Sequence, residues 1–175
     1  MGIKMFPIIG RIEFKKFQKF KSLLKKIEPE DELISYISSG GGEIKYMSLF
    51  TGTIGNLPIN TTAFAGKRVS SSAVTIFCSF DRRVCFKDSE FLIHESSPRK
   101  GKIRDEEFEI FDMLVFTYIS ERAKKIKSEE VLKMAKKGKY ISATKALKMG
   151  LVDEIIPMEA NFENFNSLYK TAEFQ

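Results

Sequence analysis

Three groups of residues in this 175-residue chain combine types that could act together on an amide or ester bond. The stretch SSGGGE at 38–43 follows an apolar run, three consecutive serines at 70–72 open onto another, and the only histidine, His94, ends a third. A serine hydroxyl beside an imidazole forms the nucleophile and base of many acyl-transfer enzymes. Glycine-rich turns leave backbone N–H groups free to stabilise the oxyanion that such chemistry creates.

Each group also has a purely structural interpretation. A glycine turn between a strand and a helix is common, Ser70 can cap the helix that follows it, and a lone histidine is more often structural than catalytic. One feature favours chemistry, because His94 follows a strand-like run and sites in α/β sheets gather at the carboxyl ends of strands. The order of the three groups along the chain is more specific than any one of them.

The apolar pattern predicts that strands and helices alternate along the chain. The helix predicted first is amphipathic, with Phe14, Phe17 and Phe20 facing inward and lysines facing outward. The alternation predicts an α/β layered domain with parallel crossovers. The predicted strands are 6–12, 32–37, 60–65, 83–86 and 90–93, and the predicted helices are 14–27, 43–52, 72–80, 105–125, 128–136 and 142–149.

The composition restricts the class of protein. With 43% apolar residues and no long polar tract, the chain can form one domain with a sizeable core. It has no apolar run of membrane-spanning length and no secretory signal, so we expect a cytoplasmic protein without a membrane partner. Cys78 and Cys85 lack metal-ligand spacing, which predicts reduced core thiols and no metal site. A net charge of +6 is compatible with nucleic-acid binding, but inward-facing rings on the lysine-rich helix argue against that partner.

Four stretches of the chain resemble the family of the Clp protease proteolytic subunit (ClpP), within the wider ClpP/crotonase fold. The resemblance covers about residues 6–156 and implies an α/β fold of stacked β-β-α units with a protruding long helix. No repeat or linker divides the chain, so we expect a single ClpP-like domain over 1–157, and the loosely patterned residues 158–175 are expected to form a C-terminal tail. The stretches look like the family's oxyanion loop, nucleophile helix, histidine strand and closing signature, and they read YISSGGGEI, SSSAVTIFCSFDRR, EFLIHESS and YISATKALKMGLVDEII.

The resemblance implies a role for four residues of the site. Ser71 aligns with the nucleophile and His94 with the general base, while the backbone N–H groups of Gly42 and Ser72 align with the oxyanion donors. Gly42 precedes Ser71 by 29 positions, which is the spacing of the family's oxyanion glycine and serine.

Ser70 is the alternative nucleophile. Gly66 lies one position earlier than the family's glycine when Ser71 is aligned with the nucleophile, and Ser70 fits that one spacing better. The apolar run after the serines aligns without a gap only when Ser71 is chosen. We therefore expect Ser70 to cap the helix and Ser71 to attack.

The implied function is that of a serine endopeptidase acting on peptides or unfolded polypeptides, without a cofactor. An extended substrate would pair as an added strand beside Gly41, Gly42 and Glu43. The implied partners are further copies of the chain in a homo-oligomer, with a ring as one arrangement. An AAA+ unfoldase is an open question, because the sequence begins almost at the first predicted strand and we therefore expect the axial loops that engage an unfoldase to be absent.

The chain also departs from the family pattern. Residues 136–139 carry KKGK where the family has its orienting aspartate, and Asp112 on the long helix is a candidate to replace it. The stretch ESSPRKGKI at 95–103 is shorter than the segment that locks two family rings together. These departures leave open a catalytically weak or inactive homologue that serves as a structural or regulatory ring subunit. An acyl-CoA enzyme of the crotonase type is a third alternative, because it shares the fold.

Overall fold

The computed structural model describes residues 2–97 and 105–170, and these ranges fold into alternating strands and helices. The strands are β1 (Ile3–Met5), β2 (Ile8–Ile9), β3 (Glu32–Ser39), β4 (Asn60–Ser70), β5 (Arg82–Phe86), β6 (Glu90–Leu92), β7 (Ile141–Ser142) and β8 (Glu154–Ile156). The helices are α1 (Phe14–Leu24), α2 (Ile44–Ile54), α3 (Ser72–Cys78), α4 (Glu106–Ala123), α5 (Ser128–Lys137), α6 (Ala143–Lys148) and α7 (Phe162–Lys170).

One largely parallel sheet organises the domain. Its strands follow the order β1-β3-β4-β5-β8, β2 extends the pairing with β3, and β6 lies parallel to β4 beyond the end of β5. Among the strands of the described residues, only β7, which pairs with β6, is antiparallel. The predicted α/β domain with parallel crossovers is confirmed. Because β3, β4 and β6 are mutually parallel, the residues that follow them meet at one edge of the sheet.

Strand β4 is longer than the sequence indicated. The prediction ended it at residue 65, because Lys67 and Arg68 interrupt the apolar run. In the structure, Thr62 to Ala65 pair with β5 and Arg68 to Ser70 pair with β6, so the ladder continues past the polar residues. The two cations are exposed and pair with Asp88 and Glu90.

The amino-terminal strand is divided in two, where the prediction gave a single strand over 6–12. Pro7 separates β1 from β2, because proline has no N–H to donate to a ladder. The chain then pairs once more, through an isolated parallel bridge between Ile12 and Gly42. This bridge ties the start of the chain to the glycine loop.

Helix α1 packs aromatic rings against α2. Phe17 and Phe20 are buried, and each ring centroid lies 5.1 Å from that of Phe50. The prediction that Phe14 also faces inward is wrong: this first residue of the helix is 54% exposed, and its ring lies 6.0 Å from that of Tyr46. The helix ends at Leu24, three residues before the predicted end at Ile27.

Helix α4 is the long helix that the resemblance implied. Near its carboxyl end, Arg122 donates from Nε to the carbonyl of Cys78 at 2.7 Å and from a terminal nitrogen to that of Phe80 at 2.9 Å. These carbonyls belong to the end of α3, where an arginine satisfies groups that lack helical partners. The contacts fix α4 against the helix that follows the serines.

The carboxyl-terminal segment contains a docked helix that the loose sequence pattern did not indicate. Phe165 of α7 is 1% exposed and packs against Tyr36 and Phe64, with ring centroids 5.2 and 5.4 Å away. The helix covers the face of the sheet opposite to α1 and α2, where a smaller hydrophobic cluster lies. Residues 171–175 of the expected tail, and residues 98–104 of the stretch expected to weaken ring stacking, lie outside the described ranges.

We expect Phe165→Ala to lower the free energy of unfolding by about 3–5 kcal/mol, because it removes a buried ring and leaves a cavity. The measurement is chemical denaturation followed by circular dichroism. Glu163→Ala, on the exposed side of the same helix, is the matched control and should change the free energy by less than about 0.5 kcal/mol. Equal stabilities for the two variants would contradict the docking of α7.

Candidate active site

Ser71 occupies a strained turn between β4 and α3. Its φ of 57° and ψ of −132° lie in a region that residues with a side chain rarely adopt. The turn is held from both sides, because the Ser71 amide donates to the Leu92 carbonyl at 2.8 Å and the Ser71 carbonyl accepts from the Val74 amide at 2.9 Å. A serine on a sharp strand-to-helix turn is the arrangement that exposes a nucleophilic hydroxyl in many hydrolases.

The expectation that Ser70 caps the helix is wrong. Ser70 is the last residue of β4 and is buried, because the ladder with β6 extends to it. The capping position belongs to Ser71, whose side chain makes no capping hydrogen bond. The hydroxyl of Ser71 is therefore not engaged in closing the helix.

His94 lies two residues beyond β6 and is partly buried. Its Nδ1 is 2.7 Å from the carbonyl oxygen of Glu95. Because a carbonyl oxygen only accepts hydrogen bonds, Nδ1 carries the proton, and a neutral ring then keeps a lone pair on Nε2. This is the tautomer that a general base needs when Nε2 faces the nucleophile.

Ser71 and His94 line one cleft of about 310 Å³. Within residues 2–97 and 105–170, no hydrogen bond joins the two side chains, and the ring of His94 has no hydrogen bond to a carboxylate. The other predicted residues Gly41, Gly42 and Ser72 line the same cleft. Its wall also includes apolar side chains from α2 and α4, among them Met47, Phe111, Val115 and Ile119.

The glycine loop approaches Ser71 more closely than a side chain would allow. Gly41 has a φ of +96°, and a Cβ on it would lie 2.7 Å from the Cβ of Ser71. A Cβ on Gly42 would lie 2.1 Å from the carbonyl oxygen of Ile12. Both positions require glycine, one for the approach to the serine and one for the bridge to Ile12.

The bridge determines where the amide of Gly42 points. In this parallel pairing Ile12 bonds to the Gly41 carbonyl and the Glu43 amide, so the polar groups of Gly42 are directed to the other side of the segment. That side faces the start of α3, because the Ser72 hydroxyl donates to the Gly42 carbonyl at 3.1 Å. The Ser72 amide is the first of the helix and has no intrahelical partner. The oxyanion role of the two amides stays a prediction.

The carboxylate near the site comes from α4. Asp112 is 3% exposed, and both of its oxygens accept from the Ser96 amide at 3.0 Å, while Oδ1 also accepts from the Ser96 hydroxyl at 2.6 Å. It lines the cleft but contacts the segment after His94 and not the ring. The sequence indicates that Asp112 is buried, because it falls on the apolar stripe of its helix with Phe116 and Ile119.

The cysteines do not take part in the cleft. Cys78 and Cys85 are free and buried, and burial raises the pKa of their thiols to about 11 and about 12. No group of three potential metal ligands occurs among the residues that the structure describes. In the same ranges, none of the helices has the length and apolar character to cross a membrane.

The comparisons with known proteins confirm the expected ClpP-like fold. A family model described as Clp protease matches residues 15–159. The fold is similar to that of ClpP1 from Listeria monocytogenes, with a TM-score of 0.77 at 20% identity over 89% of this chain and 92% of that one. It is also similar to the ClpP protease catalytic domain from Plasmodium falciparum, with a TM-score of 0.76 at 20% identity over 90% of this chain and 87% of that one. A search of curated proteins gives no match.

We expect both thiols to resist alkylation by iodoacetamide at about pH 8 in the folded protein and to react fully in concentrated guanidinium chloride. The thiolate is the reactive form, and burial holds both pKa values well above that pH. In the unfolded chain the thiols have their ordinary pKa of 9.0 and lose their protons first. The free energy of unfolding should therefore fall as the pH rises above about 9. Mass spectrometry counts the adducts, and modification of the native protein at about pH 8 would contradict the expectation.

Proposed function

The chain belongs to the Clp protease family, and from that premise we propose that it is a serine endopeptidase acting on peptides or unfolded polypeptides. One observation carries the proposal. Ser71, which has a strained backbone and a side chain that does not cap the helix, lies in the same cleft as the only histidine and against the glycine loop. Backbone strain of this kind is typical of functional sites.

In the proposed reaction the substrate binds as an extended strand along Gly41 to Glu43. One edge of this segment is taken by Ile12, so the substrate uses the other edge, which is the edge next to Ser71. The apolar side chains from α2 and α4 receive a substrate side chain. Pairing of this kind supplies affinity through main-chain hydrogen bonds that any sequence can form.

The chemistry follows from the two side chains and two amides. Nε2 of His94 takes the hydroxyl proton as Oγ of Ser71 forms a bond to the substrate carbonyl carbon, and the proton passes to the leaving amine when the C–N bond breaks. Water then attacks the acyl-enzyme with the same base and releases the second product. The N–H groups of Gly42 and Ser72 stabilise the oxyanion, each lowering the barrier by about 3 kcal/mol. The bond between Ser71 and His94 forms in the substrate complex, where catalytic contacts often tighten.

Assembly is part of the proposal. Helix α4 leaves Ile110, Met113 and Leu114 exposed on its outer side, and contiguous apolar surface of this kind is commonly covered by a partner. We propose that further copies of the chain cover it in a homo-oligomer. An AAA+ unfoldase partner and the cytoplasmic location rest on the sequence and the family alone. Nucleic acid is not a proposed partner, because Phe17 and Phe20 are buried and cannot stack on bases.

A second candidate function is that of a structural or regulatory subunit with weak or no activity. Two observations favour it: the described residues place no carboxylate on the ring of His94, and they show no bond between that ring and Ser71. Loss of the orienting carboxylate reduces turnover by about four orders of magnitude in a well-studied triad. The first experiment below separates the two candidates.

We expect a fluorophosphonate probe to modify one serine of the wild-type protein, and Ser71→Ala to abolish this labelling. Hydrolysis of a fluorogenic peptide should fall at least about a thousandfold in Ser71→Ala and in His94→Ala, because each removes one half of the reacting pair. Ser70→Ala is the matched control, since Ser70 is the neighbouring buried hydroxyl, and it should retain labelling at the same site. Mass spectrometry of the labelled peptide identifies the serine.

The outcomes distinguish the candidates. Labelling that persists in Ser71→Ala and disappears in Ser70→Ala would assign the nucleophile to Ser70. A folded, oligomeric wild-type protein that neither reacts with the probe nor cleaves peptides would favour the structural subunit. Thermal stabilisation by coenzyme A without labelling would favour the acyl-CoA enzyme.

We expect Gly42→Ala to lower kcat for the fluorogenic peptide by about 10²–10³-fold, because its Cβ would displace the Ile12 carbonyl and move one oxyanion donor. Gly40→Ala is the matched control in the same loop. A Cβ at Gly40 meets no atom within 4 Å, and its φ is negative or extended, so its kcat should stay within about threefold of wild type. Equal losses in the two variants would contradict the oxyanion role of Gly42.

A further inference from the structure

The peptide group between Glu95 and Ser96 is bonded at both ends. Its carbonyl oxygen is 2.7 Å from Nδ1 of His94, and its N–H donates to both oxygens of Asp112 at 3.0 Å. The bond is trans, since no cis peptide occurs among the described residues. In a planar trans peptide the N–H and C=O point in opposite directions, so fixing one end fixes the other.

We propose that Asp112 is a positioning residue that orients His94 through the Glu95–Ser96 peptide group. The buried carboxylate fixes the direction of the Ser96 N–H, the peptide plane transfers that direction to the Glu95 carbonyl, and the carbonyl holds the proton of the imidazole on Nδ1. The inference rests on the proposed function for its catalytic consequence. The orientation of the ring itself does not depend on activity.

The carboxylate suits this task for two reasons. It is buried on a helix whose far end is fixed to α3 by Arg122, so its position is set by the packed core. Its negative charge also polarises the peptide group, which makes the Glu95 carbonyl a stronger acceptor for the imidazole N–H. When the ring becomes positive during proton transfer, the carboxylate of Asp112 places a negative charge one peptide group away.

This arrangement accounts for the departure of the chain from the family pattern. Residues 136–139 provide three lysines and a glycine where the resemblance placed the orienting aspartate. Gly138 ends α5 in a left-handed conformation with open space where a side chain would be. The structure supplies the orienting bond from the backbone and the charge from α4.

The single histidine makes the inference directly measurable. Protein labelled with ¹⁵N-histidine and carrying no histidine tag gives imidazole signals from His94 alone. At about pH 8 the ¹⁵N shifts report which ring nitrogen carries the proton. We expect the wild-type ring to show the proton on Nδ1, and Asp112→Ala to shift the population toward the Nε2–H form that a free imidazole prefers.

The variants separate positioning from simple structural support. Ser96→Ala removes the 2.6 Å hydroxyl bond but keeps the amide bond to Asp112, so the Nδ1–H form should remain. Asp112→Asn keeps one acceptor oxygen and should retain the Nδ1–H form with a smaller loss of reactivity; it replaces Asp112→Ala in the test should that variant not fold. Fluorophosphonate labelling should slow by about 10- to 100-fold in Asp112→Ala and by less than about threefold in Ser96→Ala.

Two results would overturn the proposal. One is a folded Asp112→Ala variant whose ring and labelling rate match Ser96→Ala or, where that variant does not fold, an Asp112→Asn variant whose labelling rate matches Ser96→Ala. The other is a wild-type ring that carries its proton on Nε2. If the ring responds as expected but the wild-type protein does not react with the probe, the orienting role of Asp112 stands and the peptidase proposal fails.

Discussion

The strained backbone at Ser71 is the constraint on which the rest of the site depends. Strand β4 must end, turn and begin a helix within one residue. The amide bond to Leu92, the bond from the Val74 amide to the Ser71 carbonyl and the packing of α3 hold that turn. The same turn leaves no room for a side chain at Gly41. The glycine loop, the length of β4 and the position of β6 are therefore parts of one geometric solution, in which a hydroxyl projects from the edge of a rigid sheet.

A second constraint is the fixed position of α4, which carries the buried Asp112. Arg122 bonds to carbonyls at the end of α3, and Arg83, also buried, donates to the Arg122 carbonyl at 2.9 Å and to Asp153 at 3.3 Å. The two terminal nitrogens of Arg83 are satisfied by a carbonyl and a carboxylate, as a buried cation requires, whereas its buried Nε has no hydrogen-bond partner among the described residues. Because α3 begins at the Ser71 turn, this network sets the distance between the serine and the helix that carries the carboxylate.

Much of the site could be predicted from sequence because its signals are local. The glycine loop, the serine before an apolar helix and the histidine after a strand are each recognisable within ten residues. The extension of β4 past Lys67 was not, because it depends on β6, which pairs with the polar half of the strand. The exposure of Phe14 and the docking of α7 depend equally on which surfaces meet. The contact between Ser96 and Asp112 lies beyond any local pattern, since one residue is in a loop and the other in a helix.

In the proposed mechanism, the Glu95 carbonyl and the Asp112 carboxylate share a task that one carboxylate performs in the usual triad. A carboxylate bonded directly to the imidazole fixes its tautomer and offsets the positive charge that forms on it. Here the Glu95 carbonyl can fix the tautomer completely, because a short, direct hydrogen bond determines where the proton lies. The charge is offset only across a peptide group, and electrostatic attraction weakens with that added distance. In the proposed mechanism, orientation should thus be preserved more fully than charge stabilisation, which predicts correct geometry and a reduced rate of proton transfer.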